Sequence, residues 1–157
     1  MPAAFVETSV SVHAQRRDKL RRLFKKAEAD ALLVTSFTNV TYLTGFTGDD
    51  SYLLLTAKES LLLSDPRYTT QLEEECPDVE RIIRTHGEPM AESIQRVVGK
   101  LKLGTMGIEA GSMTVGLREQ LAEKLPAVSL APLSGLVEEL RVIKDKAEVD
   151  EIREAAR

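Results

Sequence analysis

Tryptophan is absent, cysteine occurs once and histidine only twice in the 157 residues. Cys76 alone cannot form a disulfide within one chain, which fits a reducing compartment. His13 and His86 stand apart, and neither has a His, Cys or acidic partner at i+3 or i+4. A catalytic metal generally takes three or more protein ligands, so both histidines read as surface or loop residues. No stretch approaches the roughly 18 apolar residues of a membrane helix. The first dozen residues carry Glu7 but no Lys or Arg, which makes a poor secretory signal. These absences predict a cytoplasmic location with no membrane partner. Positive charge is not in excess either: 21 Lys and Arg against 25 Asp and Glu leave a net −4. The basic footprint of a nucleic-acid partner is therefore missing overall. The one basic cluster, Arg16, Arg17, Lys19, Arg21, Arg22, Lys25 and Lys26, reads as the solvated face of a helix.

What is present describes a globular α/β domain. Hydrophobic residues make up 43% and charged residues 29%, and the length suits one domain. Residues 1–10 read as a loose lead-in. The spacing of Leu20, Leu23, Phe24 and Ala27 predicts a helix over about 11–28. Ala31-Leu32-Leu33-Val34 reads as a strand buried on both faces, and Ser36 as the cap of a short helix. Strands over 52–56 and 60–64 are joined by Lys58-Glu59-Ser60, which suggests a hairpin. Asp65 and Pro66 open a helix that ends near Cys76-Pro77. The second half alternates: strand 79–85, a helical face from Met90 to Leu101, strand 105–110, a helix through Leu117, Leu121 and Leu125, and strand 128–131. Ser134 then caps a helix through Leu140. The expected fold is a mixed sheet of about six strands flanked by helices.

Chemistry is sparse. Cys76 precedes Pro77 without a base to activate it, so it reads as a buried structural thiol. Ser51 and Ser64 lie in no nucleophile-elbow pattern. Gly45 and Gly48 are followed by a strand and flanked by Asp49 and Asp50, which argues against a phosphate loop. Glu109, ending a strand before Gly111, reads as a solvated acid or a neighbour of a helix cap. Asp145 with Glu148 resembles a capping box. It starts a helix whose apolar stripe, Val149, Ile152 and Ala156, reaches the final residue without a stop signal. Its partner surface is expected beyond Arg157.

Three clusters remain: Asn39, Tyr42, Leu43, Thr44, Gly45, Phe46 and Gly48; then Ser64, Asp65, Arg67, Tyr68 and Gln71; then Leu140, Arg141, Ile143, Lys144, Asp145, Glu148, Ile152, Arg153 and Ala155. In this order and spacing they resemble the N-terminal domain of the creatinase/prolidase family of Xaa-Pro aminopeptidases and dipeptidases. The resemblance spans roughly residues 15–157. It implies a ribonuclease-H-like N-terminal domain over 1–143, with 144–157 starting a linker helix into a C-terminal pita-bread catalytic domain. It further implies that no catalytic residue, cofactor or metal ligand lies in this chain. Two divalent ions, manganese, cobalt or zinc, would sit in the C-terminal domain on two Asp, one His and two Glu. Creatinase itself works without metal. The implied role is oligomerisation, as a dimer, and substrate gating for peptides with proline at the second position. Alternatives are a peptide- or protein-binding module and the N-terminal domain of a creatinase-like amidinohydrolase. The resemblance places Phe46, Arg67 and Tyr68 near substrate. On that reading Arg67 holds a substrate carboxylate, and the two aromatic rings form a wall for a proline ring. The competing reading pairs Arg67 with Asp65, Asp49 or Asp50.

Overall fold

Strand β1 (Ala31–Val34) is wholly buried because it runs through the middle of a six-stranded sheet. A computed structural model describes residues 10–157; most of the expected lead-in lies outside them. Strand β2 (Tyr52–Thr56) pairs with β1 antiparallel, and β3 (Ser60–Ser64) pairs with β2 antiparallel through the expected hairpin. Strand β4 (Glu80–Ile83) lies parallel to β3 at one edge. On the other side β5 (Thr105–Glu109) lies parallel to β1, and β6 (Ser129–Leu133) parallel to β5. The order is β4-β3-β2-β1-β5-β6, a mixed sheet.

Helices cover both faces. Successive strand residues point to opposite sides, so the continuous runs of leucine divide between two cores. Leu32, Val34, Leu53, Leu55 and Leu62 face α1 (Val12–Lys26), α2 (Phe37–Thr44) and α3 (Thr69–Glu75). Leu33, Leu54, Leu61 and Leu63 face α4 (Met90–Val98) and α5 (Val115–Lys124). Helix α6 (Leu136–Val142) joins the first face through buried Val137, and α7 (Lys146–Ala155) follows it. Among the described residues no helix is long and apolar enough to cross a membrane.

Several boundaries differ from the sequence reading. After Asp65 the chain makes a 3-10 turn, Pro66–Tyr68, before α3 begins. Strand β4 stops at Ile83, two residues short of the expected end. Ser134 does not cap α6. Gly135, at φ 77°, occupies that position, because the exit from β6 needs a left-handed residue there. Cys76 is buried as expected, and burial pushes its thiol up to about 11.

The largest departure is in α1. Arg16 and Arg17, read as solvated, are 9% and 3% exposed. Arg17 Nη1 donates to the Leu43 carbonyl at 2.8 Å, and Nη2 to Asp78 at 2.7 Å. Arg16 Nη1 donates to the Tyr42 carbonyl at 2.9 Å. Both carbonyls belong to the last turn of α2, where backbone acceptors have no partner within the helix and the dipole favours a cation. The cluster therefore splits: Lys19 remains exposed, while Arg16 and Arg17 are structural. Arg17→Met leaves the Leu43 carbonyl buried and unpaired, and should lower stability by about 1–3 kcal/mol. Lys19→Met should change it by less than about 0.5 kcal/mol. Urea unfolding of both variants measures the contrast; equal effects would mean that Arg17 is not structural.

Candidate functional site

The carboxyl ends of β1, β3, β5 and β6 gather at one end of the sheet, where β1 has a parallel neighbour on one side and an antiparallel one on the other. Open α/β sheets place their sites at such a switch in strand order. Two polar networks and one helix latch lie at or beside this end.

The first network centres on Glu109, the last residue of β5. It is neither solvated nor lone: only 8% of it is exposed. Its Oε1 accepts from the Thr35 and Ser36 N–H groups at 2.7 and 3.0 Å, at the entry to α2. Its Oε2 accepts from Asn39 Nδ2 at 2.6 Å. The same Asn39 amide donates to Glu138 of α6 at 2.8 Å, and Asn39 Oδ1 accepts from Arg141 at 3.2 Å. One buried asparagine thus ties β5, α2 and α6 together beside a cavity of about 280 Å³. Burial raises the Glu109 pKa above the ordinary 4.5, against the opposing effect of its three hydrogen bonds.

The second network holds the residues expected near substrate. Phe46 offers no wall to a ligand, because it is 0% exposed. Its ring meets Tyr68 edge-on, with centroids 5.4 Å apart and an interplanar angle of 81°. A Cβ on Gly48 would come 2.2 Å from Phe46 Cζ, so only glycine fits beside that ring in its present place. Tyr68 is half-buried and is the only one of the two rings with surface. Arg67 lies outside it, with 69% of its side chain exposed and its guanidinium carbon 5.5 Å from the Tyr68 ring centre. Arg67 Nε pairs with Asp65 at 2.8 Å, and Nη2 with Asp50 at 3.5 Å. Arg84 completes the square, 2.8 Å from Asp50 and 3.6 Å from Asp65. Of the three acids weighed for Arg67, Asp65 and Asp50 are its partners; the Asp49 carboxylate instead accepts from the Asp50 N–H. Hydrogen bonds from the Arg67 backbone and side chain hold the Asp65 carboxyl below its usual value. These four charged residues, with His86, border a cavity of about 390 Å³.

The latch fixes α7. Asp145 caps it in the expected box with Glu148. Arg16 Nη2 reaches Asp145 at 2.5 Å and Glu148 at 3.5 Å, and its guanidinium stacks 4.1 Å over Tyr42. Tyr42 Oη donates to the Leu140 carbonyl at 3.3 Å. Two clusters far apart in sequence therefore meet on one arginine. Beyond the latch, Val142, Ile143 and Ile152 are 70%, 77% and 55% exposed.

Sequence reasoning missed Glu109 as a hub, and Asn39 and Arg16 as connectors. Their partners lie 70, 99 and 129 residues away, and only the strand order brings them together. His13 sits half-buried on α1, its Nδ1 3.1 Å from the Tyr42 carbonyl; His86 is exposed in the loop before α4. Among the described residues no group of three or more His, Cys, Asp and Glu is placed to hold a metal ion.

A family profile described as "Creatinase/Prolidase N-terminal domain" matches residues 16–143. An uncharacterized peptidase of Bacillus subtilis, YqhT, is 33% identical over 140 residues, covering 89% of this chain and 39% of that protein. The solved N-terminal domain of the cytoplasmic peptidase PepQ from Mycobacterium tuberculosis is 34% identical. Its TM-score is 0.74, with 81% of this chain and 98% of that one covered. An Xaa-Pro dipeptidase from Bacillus anthracis superposes with TM-score 0.82 at 25% identity, over 88% of this chain and 38% of that one. The chain thus spans about two-fifths of the length of its curated relative.

Protonation tests the Glu109 hub. Because folding raises this pKa, the proton binds the folded chain more tightly than the unfolded one. That component of stability is fully present below the ordinary value of 4.5 and is lost as pH rises through the folded value. Carbon-13 NMR of the Glu109 carboxyl should show a midpoint above 4.5. Glu109→Gln turns one amide N–H₂ toward donors and should cost about 1–3 kcal/mol near neutral pH. A midpoint at or below 4.5 would contradict the buried placement.

Proposed function

Given that the chain belongs to the creatinase/prolidase N-terminal domain family, we propose that it is the non-catalytic N-terminal domain of an Xaa-Pro metallopeptidase, an aminopeptidase P or prolidase. Hydrolysis of the Xaa-Pro bond belongs, on this reading, to a C-terminal domain carrying two divalent ions, manganese, cobalt or zinc. Among the described residues the side chains do not fit such a centre, because no three potential ligands converge. The domain's own work is to dock on its catalytic domain, to assemble a dimer and to gate substrate.

One observation carries this reading. Helix α7 is latched at its start by Arg16 while Val142, Ile143 and Ile152 beside and along it stay exposed. A fixed helix with apolar residues facing water is a prepared contact surface. For gating, Arg67 and Tyr68 supply the accessible chemistry, with Phe46 bracing the Tyr68 ring from the core. The ion pairs of Arg67 are solvent-exposed and individually weak, so a substrate carboxylate can compete for the same planar fork.

Incubated with Xaa-Pro dipeptides and longer Xaa-Pro peptides and manganese, cobalt or zinc, the isolated chain should show no turnover above a metal-only blank. Clear turnover would place catalysis here and refute the reading. A full-length protein that also fails to hydrolyse them would favour the peptide-binding alternative.

Arg67→Ala in the full-length protein removes one charge-assisted contact, worth about 1.5–3 kcal/mol. The expected loss in kcat/KM is about 10- to 150-fold with melting temperature unchanged. A lower melting temperature with normal turnover would make Arg67 structural. Light scattering on the unmutated full-length protein should report a dimer; a strict monomer at micromolar concentration would remove the oligomerising role.

A further inference from the structure

At the end of the sheet opposite Glu109 and Asp65, a cleft of about 620 Å³ opens between α1, the β2–β3 turn and the segment entering β5. Its floor is apolar: Phe24 and Ala29 are buried in the core, and Leu101 and Leu103 are half-buried. Its rim is cationic, with Arg21, Arg22, Lys25, Lys58 and Lys102 set against two acids, Asp30 and Glu59. In a chain of net charge −4 this is a local reversal of sign.

Two rim residues are committed to structure. Arg21 donates to the Thr56 carbonyl at 2.8 Å and the Glu59 carbonyl at 3.0 Å, which fastens α1 to the hairpin turn and fixes the wall. Asp30 accepts the N–H groups of Gly104 and Thr105, both at 2.9 Å, which fixes the facing loop. Arg22, Lys25, Lys58 and Lys102 are exposed, and among the described residues none of them forms an ion pair. Lys25 suits the carboxyl end of α1, where the helix dipole favours a cation. That reason does not extend to Lys58 and Lys102, which stand on two separate loops.

We propose that this cleft binds a small organic anion with an apolar body. The carboxylate or phosphate head lies against Lys58, Lys102 and Arg22, and the hydrocarbon rests on the half-buried Leu101 and Leu103. The volume falls within the roughly 300–1,000 Å³ of small-molecule sites, which combine an apolar lining with a few placed polar groups. The four like charges repel one another across an open apolar floor, and one ligand of this class answers both conditions.

The experiment is nitrogen-15 NMR of the chain titrated with phenyl phosphate and, separately, hexanoate; the stronger binder identifies the head group. Saturable shifts are expected at residues 22–30, 56–59 and 101–103, with a dissociation constant below about 1 mM for the better ligand. Inorganic phosphate and benzyl alcohol, each carrying half of the recognised chemistry, should bind at least about tenfold more weakly. Lys58→Glu with Lys102→Glu should weaken the better ligand by a similar factor. Raising salt from about 0.05 to 0.5 M should weaken it in the natural chain, because exposed charges are screened. No saturable shifts, shifts outside the cleft, equal binding of inorganic phosphate or benzyl alcohol, or indifference to both charge reversal and salt would each overturn the proposal.

Discussion

A helix of eight residues has few internal hydrogen bonds and ends in carbonyls that nothing within it can satisfy. In this protein those carbonyls, on Tyr42 and Leu43 of α2, are taken by the guanidinium groups of Arg16 and Arg17. Each arginine then reaches further. Arg17 binds Asp78 beyond α3, and Arg16 binds the cap of α7. A charge removed from water costs several kcal/mol unless paired and hydrogen-bonded, so once buried these groups tolerate little displacement. The place of α2 sets Asn39 at one end and the Gly45-Phe46 loop at the other, and both polar networks depend on it.

Where the determinants of structure are local, the sequence is easy to read. Four consecutive apolar residues at 31–34 mark a strand buried on both faces, and Asp145 with Glu148 marks a helix start; the structure has both. The helix expected after Asp65 is shorter, because Pro66–Tyr68 closes as a 3-10 turn and α3 begins only at Thr69. Long-range electrostatics is where the reading stops. Nothing near Arg17 announces that its acceptors are 26 and 61 residues away. Glu109 looks like an ordinary strand-end acid until β5 is known to lie beside β1, which brings the Thr35 and Ser36 N–H groups, just before α2, within reach. Phe46 sits in a glycine-rich loop that suggests exposure, and its burial depends on Gly48 leaving room for the ring.

Most polar groups that resemble catalytic machinery are saturated by one another. Glu109 accepts three hydrogen bonds, Asn39 serves both β5 and α6, and the Ser51 and Ser64 hydroxyls meet at 2.7 Å in the interior. A group whose lone pairs and protons are all engaged holds geometry and has little left for a substrate. That distinguishes the switch-point end of the sheet, where opposite charges interlock, from the cationic cleft at the other end, where Arg22, Lys25, Lys58 and Lys102 form no ion pair among the described residues.

Gly48 has a consequence for how this sequence can drift. The space a Cβ would need there is already filled by the Phe46 ring, so the two positions share one volume. The Phe46 ring in turn supports Tyr68 across the fold. A larger residue at 48 is therefore admissible only in a lineage where 46 has first become smaller, and that earlier step removes the brace behind Tyr68. The two positions are locked in order as well as in size: no single substitution at 48 is neutral, and the path to any replacement passes through a chain whose surface at Tyr68 has already loosened.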